Sequence, residues 1–429
     1  MEHQYKQHYA AAAVTVAEKM IESKVCGPDS VFVSFKLDKW HTEPNQFCSV
    51  VLYGTMTVSD RDCRNQIHPL VLKFKHINPQ KRKICRNDQQ FYNEKLFYEQ
   101  ITPFLLAFVS PRDDDVSMTP SLCRYFYGRN DCGDLADRDL IVLGNETVRG
   151  YRSAVNDHRL TLDYDHMAIA VRTLAKFHSL SYRAKHVDRV KFIELVKKVA
   201  ETQFSAEGKW YLSSKVLQGL FSTALDMLEE RHGDSGGYVQ RLHRFRVELL
   251  ADLIETTKRV MEPDEHLSVL CHSDFGRHNL MFRYDGDGRP TDALLYDMAL
   301  IRYGSPALDL SHFMYLNMDR QTRDDHWDDL LDVYCETLAS VAGSAPVPDR
   351  SQLDTEMTKS AYYGLARVSM AVRILLEEQK QVDLSELAGL TDDEKLQFWL
   401  SCGGKRATEW TADTLQHYLD MVFIDVVAN

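Results

Sequence analysis

The chain lacks several patterns that would place it in common classes of protein. Its nine cysteines include no C-x-x-C pair and no zinc-type spacing, which argues against a metal cluster or a disulfide framework and for reduced thiols. No stretch approaches the ~18 apolar residues that a membrane span requires. The alanine-rich N-terminus meets Glu18 and Lys19 too soon to be a secretory signal. We therefore expect a soluble cytoplasmic protein.

An excess of positive charge is also missing. The chain has 51 Lys and Arg against 63 Asp and Glu, a net charge of −12 and a pI near 5.8. A protein that binds the phosphate backbone of nucleic acid needs a basic face to release counterions. We therefore expect no nucleic-acid partner.

The patterns that are present indicate two lobes. A chain of 429 residues, 44% hydrophobic, can bury a large core. After a leading helix at about 5–23, the β-branched and aromatic runs 31–37, 49–58 and 69–75 predict strands. From about residue 160 helical periodicity dominates, including predicted helices at 238–262, 326–343 and 355–381. The sequence therefore predicts a small lobe of mixed helices and strands followed by a larger helical lobe.

The most informative motif is H-x-D-x-x-x-x-N in HSDFGRHNLMF, which places His272, Asp274 and Asn279, followed by Asp297 in LLYDMAL. Kinase-like folds build phosphoryl-transfer sites with this spacing. One carboxylate accepts the proton of the substrate hydroxyl, while an amide oxygen and a second carboxylate hold Mg²⁺, a hard ion that prefers oxygen ligands. The spacing thus predicts ATP and Mg²⁺ as cofactors, with Asn279 and Asp297 as metal ligands.

The residues around the motif agree with this interpretation. The apolar run 280–284, the Asp-Gly-Asp-Gly turn at 285–288 and the short run 293–296 predict a β-hairpin. That hairpin would return Asp297 to the side of the catalytic loop.

A lysine and a glutamate upstream complete the pattern. Lys73 closes the stretch LVLK within the predicted strand 69–75, and Glu94 lies in the predicted helix 88–106. A Lys and Glu pair in these places grips the α and β phosphates of a nucleotide. Lys75 is the rival candidate, because residues 73 and 75 point to the same face of a strand. We predict an α+β bilobal, protein-kinase-like fold, with a small N-terminal lobe containing an antiparallel sheet (1–143) and a larger, mainly helical C-terminal lobe (144–429).

In this order of features the chain resembles the CHK kinase-like family, which includes the insect ecdysteroid kinases and belongs to the aminoglycoside phosphotransferase and choline kinase superfamily. FYNE at 91–94 and RYGSPALDL at 302–310 carry the resemblance most specifically. It implies ATP-dependent phosphorylation of a hydroxyl on a small-molecule alcohol. It also implies that Asp274 is the catalytic base, that His272 orients the loop, and that Asp309 braces it. Asp309 could also cap a helix starting at Leu310, and both roles can hold.

Several positions depart from the family pattern. The phosphate-covering loop, usually Gly-x-Asn-Tyr-x-Ser, reads Pro44-x-Gln46-Phe47-x-Ser49, so Phe47 and Ser49 are the predicted nucleotide contacts, without a glycine for close approach. Leu143 begins the predicted adenine hinge. Ser273 replaces a usual glycine. Gly276 replaces a bulky aromatic residue, which predicts open space beside the base.

The identity of the acceptor stays open at this point. Aromatic residues of the helical lobe are more often core than pocket, but several lining a pocket would suit a bulky acceptor such as a steroid alcohol; these are Phe204, Trp210, Tyr211, Phe221, Tyr362, Tyr363, Phe398 and Trp399. The alternatives are a choline or ethanolamine kinase, or a pseudokinase-like module that binds without turnover. A protein kinase is disfavoured, because G-x-G-x-x-G, Asp-Phe-Gly and Ala-Pro-Glu are all missing.

Overall fold

A computed structural model describes most of the chain. The described residues are 2–22, 24–38, 49–76, 78–109, 118–133, 138–154, 160–205, 207–210, 212–233, 237–378, 382–387 and 389–422.

An antiparallel sheet forms the first part of the described chain. Its five strands lie in the order β1-β2-β3-β6-β5, and each neighbouring pair is antiparallel. Helix α1 (Glu2–Glu22) contacts β1. The strand bounds are β1 Val31–Leu37, β2 Ser49–Ser59, β3 Asn65–Lys75, β5 Tyr125–Arg129 and β6 Leu140–Gly144.

Three short helices follow β3 and are almost continuous. Asn78 caps the first through the N–H groups of Gln80 and Lys81, and a π-helical turn, Phe97–Ile101, joins the second to the third. They are α2 Pro79–Cys85, α3 Asn87–Leu96 and α4 Thr102–Leu106.

The rest of the described chain is mainly helical. Its helices are α5 Tyr164–Val196, α6 Ser214–His232, α7 Tyr238–Arg244, α8 Leu253–Val260, α9 Pro306–Asn317, α10 Arg320–Val341, α11 Arg350–Leu375, α12 Asp392–Ser401 and α13 Gly404–His417. Its short strands are β4 Ser121–Leu122, β7 Val269–Cys271, β8 Leu280–Tyr284, β9 Pro290–Leu295 and β10 Arg302–Gly304.

The predicted fold class is confirmed. The three predicted strands and the hairpin occur within a few residues of their expected bounds, because alternating apolar residues and strong turn chemistry specify them locally. The predicted helix at 238–262 is broken into α7, a π-helical segment and α8. The lobe boundary at 143/144 stays a prediction.

Two apolar clusters hold the described residues together. The smaller joins α1 to the sheet and includes Tyr9, Met56 and Phe74. The larger runs from α3 through the helical part, so α3 packs with the helices that follow rather than with the sheet alone. None of the helices in the described residues has the length and apolarity that crossing a bilayer requires.

Helices α9 and α11 approach each other closely at Gly364. A Cβ atom there would lie 2.5 Å from the carbonyl carbon of Ser311 and 2.7 Å from the amide nitrogen of His312. These are backbone atoms of α9, which cannot rotate away as a side chain can. The missing side chain of Gly364 therefore sets the distance between the two helices.

We predict that Gly364→Ala destabilises the protein, because the added methyl group must push α11 away from α9. Overpacking of this kind costs roughly 1–3 kcal/mol in the free energy of unfolding, measured by urea denaturation. Gly286→Ala is the matched control, because nothing lies within 4 Å of its Cβ position. Equal stability of the two variants would contradict the close approach.

Candidate active site

The loop carrying the H-x-D motif rests on one buried carboxylate. Asp309, in the first turn of α9, accepts the backbone N–H of His272 at 2.6 Å and that of Ser273 at 2.7 Å. His178 of α5 lies 3.2 Å from the same side chain. Burial alone would raise the pKa of Asp309, but the hydrogen bond and charge of His178, with the contribution of His272, hold it below its usual value. The bracing role is confirmed, whereas the helix-capping alternative is wrong, because Ser305 caps α9.

Ser273 has a backbone conformation that explains the family preference for glycine at this place. Its φ is +63°, in the left-handed region that favours glycine. This conformation turns two successive N–H groups towards Asp309. Holding a serine there costs roughly 1–2 kcal/mol, which the two hydrogen bonds to a buried carboxylate offset.

The ring of His272 contacts backbone atoms. Its Nδ1 accepts the N–H of Asp274 at 3.3 Å, and its Nε2 lies 2.9 Å from the carbonyl oxygen of Tyr296. These partners assign the ring proton to Nε2. His272 thus ties the catalytic loop to the residue preceding Asp297, as expected of an orienting residue.

Asp274 is surrounded by nitrogen donors. Its Oδ1 accepts from Arg367 Nη2 at 2.7 Å, and its Oδ2 lies 3.1 Å from Asn279 Nδ2 and 3.3 Å from His278 Nε2. His312 Nε2 is 3.7 Å from Oδ1. Burial alone would raise the pKa of Asp274, but His278, His312 and Arg367 outweigh it and hold the pKa well below its usual value.

The space beside Gly276 is filled, so the prediction of an opened pocket there is wrong. A Cβ at Gly276 would lie 2.7 Å from Cε1 of the His278 ring. The imidazole of His278 occupies the volume that we expected a larger side chain to leave empty. Nothing in the motif indicated that this neighbour would turn back onto Asp274.

The two predicted metal ligands lie at the same end of the hairpin. Asn279 precedes β8 and Asp297 follows β9, and the carbonyl oxygen of Asn279 accepts the N–H of Tyr296 at 3.3 Å. The Asn279 amide nitrogen donates to the Asp274 backbone at 2.9 Å and to its carboxylate. That orientation turns the amide oxygen away from Asp274. The carboxylate of Asp297 is partly exposed. An amide oxygen and a carboxylate are both ligand types that Mg²⁺ prefers, so the chemistry of these two residues fits the ion.

Lys73 joins the sheet to this site. Its Nζ lies 2.8 Å from Glu94 and 2.6 Å from Asp297. Burial alone would lower the pKa of Lys73, but the two carboxylates raise it above its usual value. The rival, Lys75, pairs instead with Asp88 and Asp139, so the structure brings Lys73 and not Lys75 to Glu94.

Asn93, next to Glu94, fixes helix α3 to the helical part of the chain. Its side chain accepts the N–H of Ala200 at 2.8 Å and donates to the carbonyl oxygens of Ala200 and Ala299. Because Ala299 is two residues after Asp297, this asparagine links α3 to the segment that contains the predicted metal ligand. We had not singled out Asn93 from the sequence, although it lies within the FYNE motif.

Of the remaining predicted nucleotide contacts, two lie within the described residues and one does not. Ser49 starts β2, whereas Phe47 lies outside the described residues together with Pro44 and Gln46. Leu143 is a buried residue of β6.

The hinge amides next to Leu143 already have partners. The N–H groups of Gly144 and Asn145 donate to the carbonyl oxygens of Arg124 and Pro69. An adenine base would therefore have to meet other backbone groups of the hinge.

The aromatic residues considered for the acceptor pocket belong to the core. Six of them are buried in the larger cluster and Phe398 packs against it, while Tyr211 lies outside the described residues; the six are Phe204, Trp210, Phe221, Tyr362, Tyr363 and Trp399. They confirm the core interpretation and so provide no shape for an acceptor.

Comparison with known protein families matches this arrangement of fold and site. The model of the ecdysteroid kinase-like family matches residues 43–345, which contain Lys73, Glu94, the loop with the H-x-D motif and both predicted metal ligands. The chain belongs to the ecdysteroid kinase-like family.

Other comparisons add less. No curated protein matches the chain. Similar solved structures include an ethanolamine kinase of Plasmodium vivax, with 11% identity, 86% of this chain and 82% of that chain covered, and a TM-score of 0.36. Another is the amicoumacin kinase hAmiN in complex with AMP-PNP, Ca²⁺ and Ami, with 12% identity, 87% and 90% covered, and a TM-score of 0.35.

We predict that Asp309→Asn destabilises the protein at pH 7, because an amide can accept only one of the two backbone N–H groups and turns a donor towards the other. An unsatisfied buried group costs roughly 1–3 kcal/mol. The pKa of Asp309 is lowered on folding, so its contribution is present above the unfolded pKa and is lost as pH falls through the folded pKa.

The measurement is urea denaturation of Asp309→Asn and wild type from pH 7 down to about pH 2, covering the range below the ordinary aspartate pKa of about 3.9. The difference in unfolding free energy should shrink towards the acid end. Asp287→Asn, in the exposed hairpin turn, is the control and should match wild type throughout. A difference that is absent at pH 7, or that grows on acidification, would contradict the brace.

Proposed function

We propose that the protein is an ATP- and Mg²⁺-dependent phosphotransferase that moves the γ-phosphoryl group of ATP to a hydroxyl of a small molecule. One observation carries the proposal, namely that these side chains meet. Lys73 donates hydrogen bonds to both Glu94 and Asp297. Asn279 donates to the Asp274 carboxylate, and its carbonyl oxygen accepts the N–H of Tyr296, the residue before Asp297. Residues from four parts of the sequence thus meet at one end of the β8–β9 hairpin.

The chemistry follows from these positions. The acceptor hydroxyl lies against Asp274, and its oxygen forms the new bond to the γ-phosphorus while the bond to the bridging oxygen of ADP breaks. The hydroxyl proton passes to the Asp274 carboxylate. A carboxylate with a depressed pKa is a weak base, which suits a loose transition state in which orientation matters more than early proton removal.

Charge neutralisation is the second requirement. Asn279 and Asp297 would hold Mg²⁺, which when bound neutralises charge on the phosphates. Lys73 would contact the α and β phosphates, with Glu94 fixing its ammonium group. In the described structure Lys73 also contacts Asp297, so the lysine and the metal ligand are already adjacent.

For the acceptor we propose an uncharged alcohol, of which an ecdysteroid-like steroid alcohol is the example that the family description suggests. The groups that contact the Asp274 carboxylate in the described residues are an arginine, two histidines and an amide. An ammonium group held next to the reacting hydroxyl would lie close to the Arg367 cation. This arrangement disfavours choline and ethanolamine.

Asp274→Asn and Asp297→Asn should both abolish most Mg²⁺-dependent formation of ADP and phosphorylated product. Loss of a general base typically lowers the rate by about 10² to 10⁴, and loss of a metal carboxylate removes charge neutralisation. Asp287→Asn is the control for folding and handling. Turnover at the wild-type rate in either site variant would contradict the proposal. If the wild type binds ATP but forms no product, the binding-module alternative is favoured instead.

A panel of acceptors separates the two substrate classes. Polyhydroxylated steroids, choline and ethanolamine are each assayed with ATP and Mg²⁺ for product formation. We expect turnover with the uncharged steroids and little with the two cations. If only choline or ethanolamine is phosphorylated, the acceptor assignment is contradicted, whereas the phosphotransferase assignment stands.

A further inference from the structure

A buried arginine from a distant helix contacts the proposed catalytic base. Arg367 lies in α11, 93 residues after Asp274, and its Nη2 donates to Asp274 Oδ1 at 2.7 Å. The arginine side chain is only 6% exposed. Water therefore has little access to the arginine side of this contact, and removing Arg367 would take away the charged partner of Oδ1.

The two oxygens of Asp274 are held by different parts of the protein. Oδ2 is held from within the catalytic loop region, by Asn279 and His278. Oδ1 accepts from Arg367, while His312 is 3.7 Å away, beyond hydrogen-bond length. Without the arginine, the carboxylate would keep the contacts of one oxygen and could rotate about them.

Helix α11 is itself fixed against the loop. Tyr363 lies one turn before Arg367 on the same face, and its hydroxyl donates to the carbonyl oxygen of Ser273 at 3.3 Å and accepts from Gln203 at 2.7 Å. Gly364 allows the backbone of α11 to approach α9 beside His312. The helix therefore presents Arg367 to Asp274 from a defined direction.

We propose that Arg367 is a positioning residue that fixes the direction in which Asp274 receives the acceptor hydroxyl. The inference rests on the phosphotransferase function proposed above. A carboxylate held at Oδ1 by a guanidinium group and at Oδ2 by the loop has its remaining lone pairs in set directions. An error of about 1 Å in the position of a reacting group can lower a rate by a factor of about 10².

Helix α11 also supplies a matched control. Arg373 is fully buried on the same helix, but its guanidinium group contacts the carbonyl oxygens of Trp399, Leu400 and Cys402 and the hydroxyl of Thr408. Substitution of Arg373 therefore tests the loss of a buried arginine from α11 without a contact to the catalytic loop.

The experiment compares Arg367→Met, Arg367→Lys and Arg373→Lys with wild type and Asp274→Asn. ADP release is measured with Mg²⁺, ATP and the steroid of the panel that gives the highest turnover, and rates are expressed per folded protein from thermal unfolding. For Arg367→Met we expect kcat to fall by about 10- to 100-fold with KM for ATP within about twofold. Arg367→Lys should recover part of kcat, because the contact is a single hydrogen bond, and Arg373→Lys should stay within about twofold of wild type.

The outcomes separate this inference from the function on which it rests. If Asp274→Asn is inactive but Arg367→Met keeps the wild-type kcat, or gains activity, the positioning role is overturned and the phosphotransferase assignment stands. If Arg373→Lys loses kcat as much as Arg367→Lys, the effect is structural and the positioning role is again overturned. If Asp274→Asn keeps full activity, the proposed function fails and the inference fails with it.

Discussion

The arrangement of the site depends most on the two ion pairs made by the ammonium group of Lys73. It bonds Glu94 of α3 and Asp297 after β9, so one cation joins the sheet, the helix beneath it and the end of the hairpin. Two carboxylates that share one buried partner repel each other wherever that partner is lost. The neighbouring Asn93 reinforces the same junction through hydrogen bonds with Ala200 and Ala299, which fix α3 against the segment that follows Asp297.

The loop with the H-x-D motif is held in a similar way, by charged groups supplied from elsewhere in the chain. Asp309 of α9 accepts hydrogen bonds from two successive backbone N–H groups of the loop, and Arg367 of α11 donates to the Asp274 side chain. The left-handed backbone of Ser273 shows that the loop tolerates local strain in order to meet Asp309. Helices α9 and α11 thus determine the position of the carboxylate proposed to act on the acceptor as much as its own loop does.

Local patterns predicted the parts of this structure that local interactions determine. Period-two strands, the Asp-Gly turn of the hairpin and the spacing of Asp274 and Asn279 each depend on a few neighbouring residues. The choice between Lys73 and Lys75 did not follow from the sequence, because both point to the same face of their strand; the structure places Lys73 beside Glu94 and Lys75 beside Asp88 and Asp139. Arg367 and His312 could not be found in this way, because their contacts with Asp274 depend on how α11 packs on α9. His278 was missed for a different reason: we interpreted Gly276 as a gap, whereas a ring two residues away turns back to fill it.

Asn279 and Asp297 are proposed to hold a divalent cation beside Asp274. A crystal structure with AMP-PNP and Mn²⁺, analysed for anomalous scattering from the metal, tests it most directly. We predict a metal peak about 2.0–2.2 Å from an oxygen of each of these two side chains, near the distance expected for an octahedral Mg²⁺ site, with nucleotide phosphates completing the coordination. A metal bound elsewhere, or carboxylates of Asp274 and Asp297 facing different cavities, would contradict it.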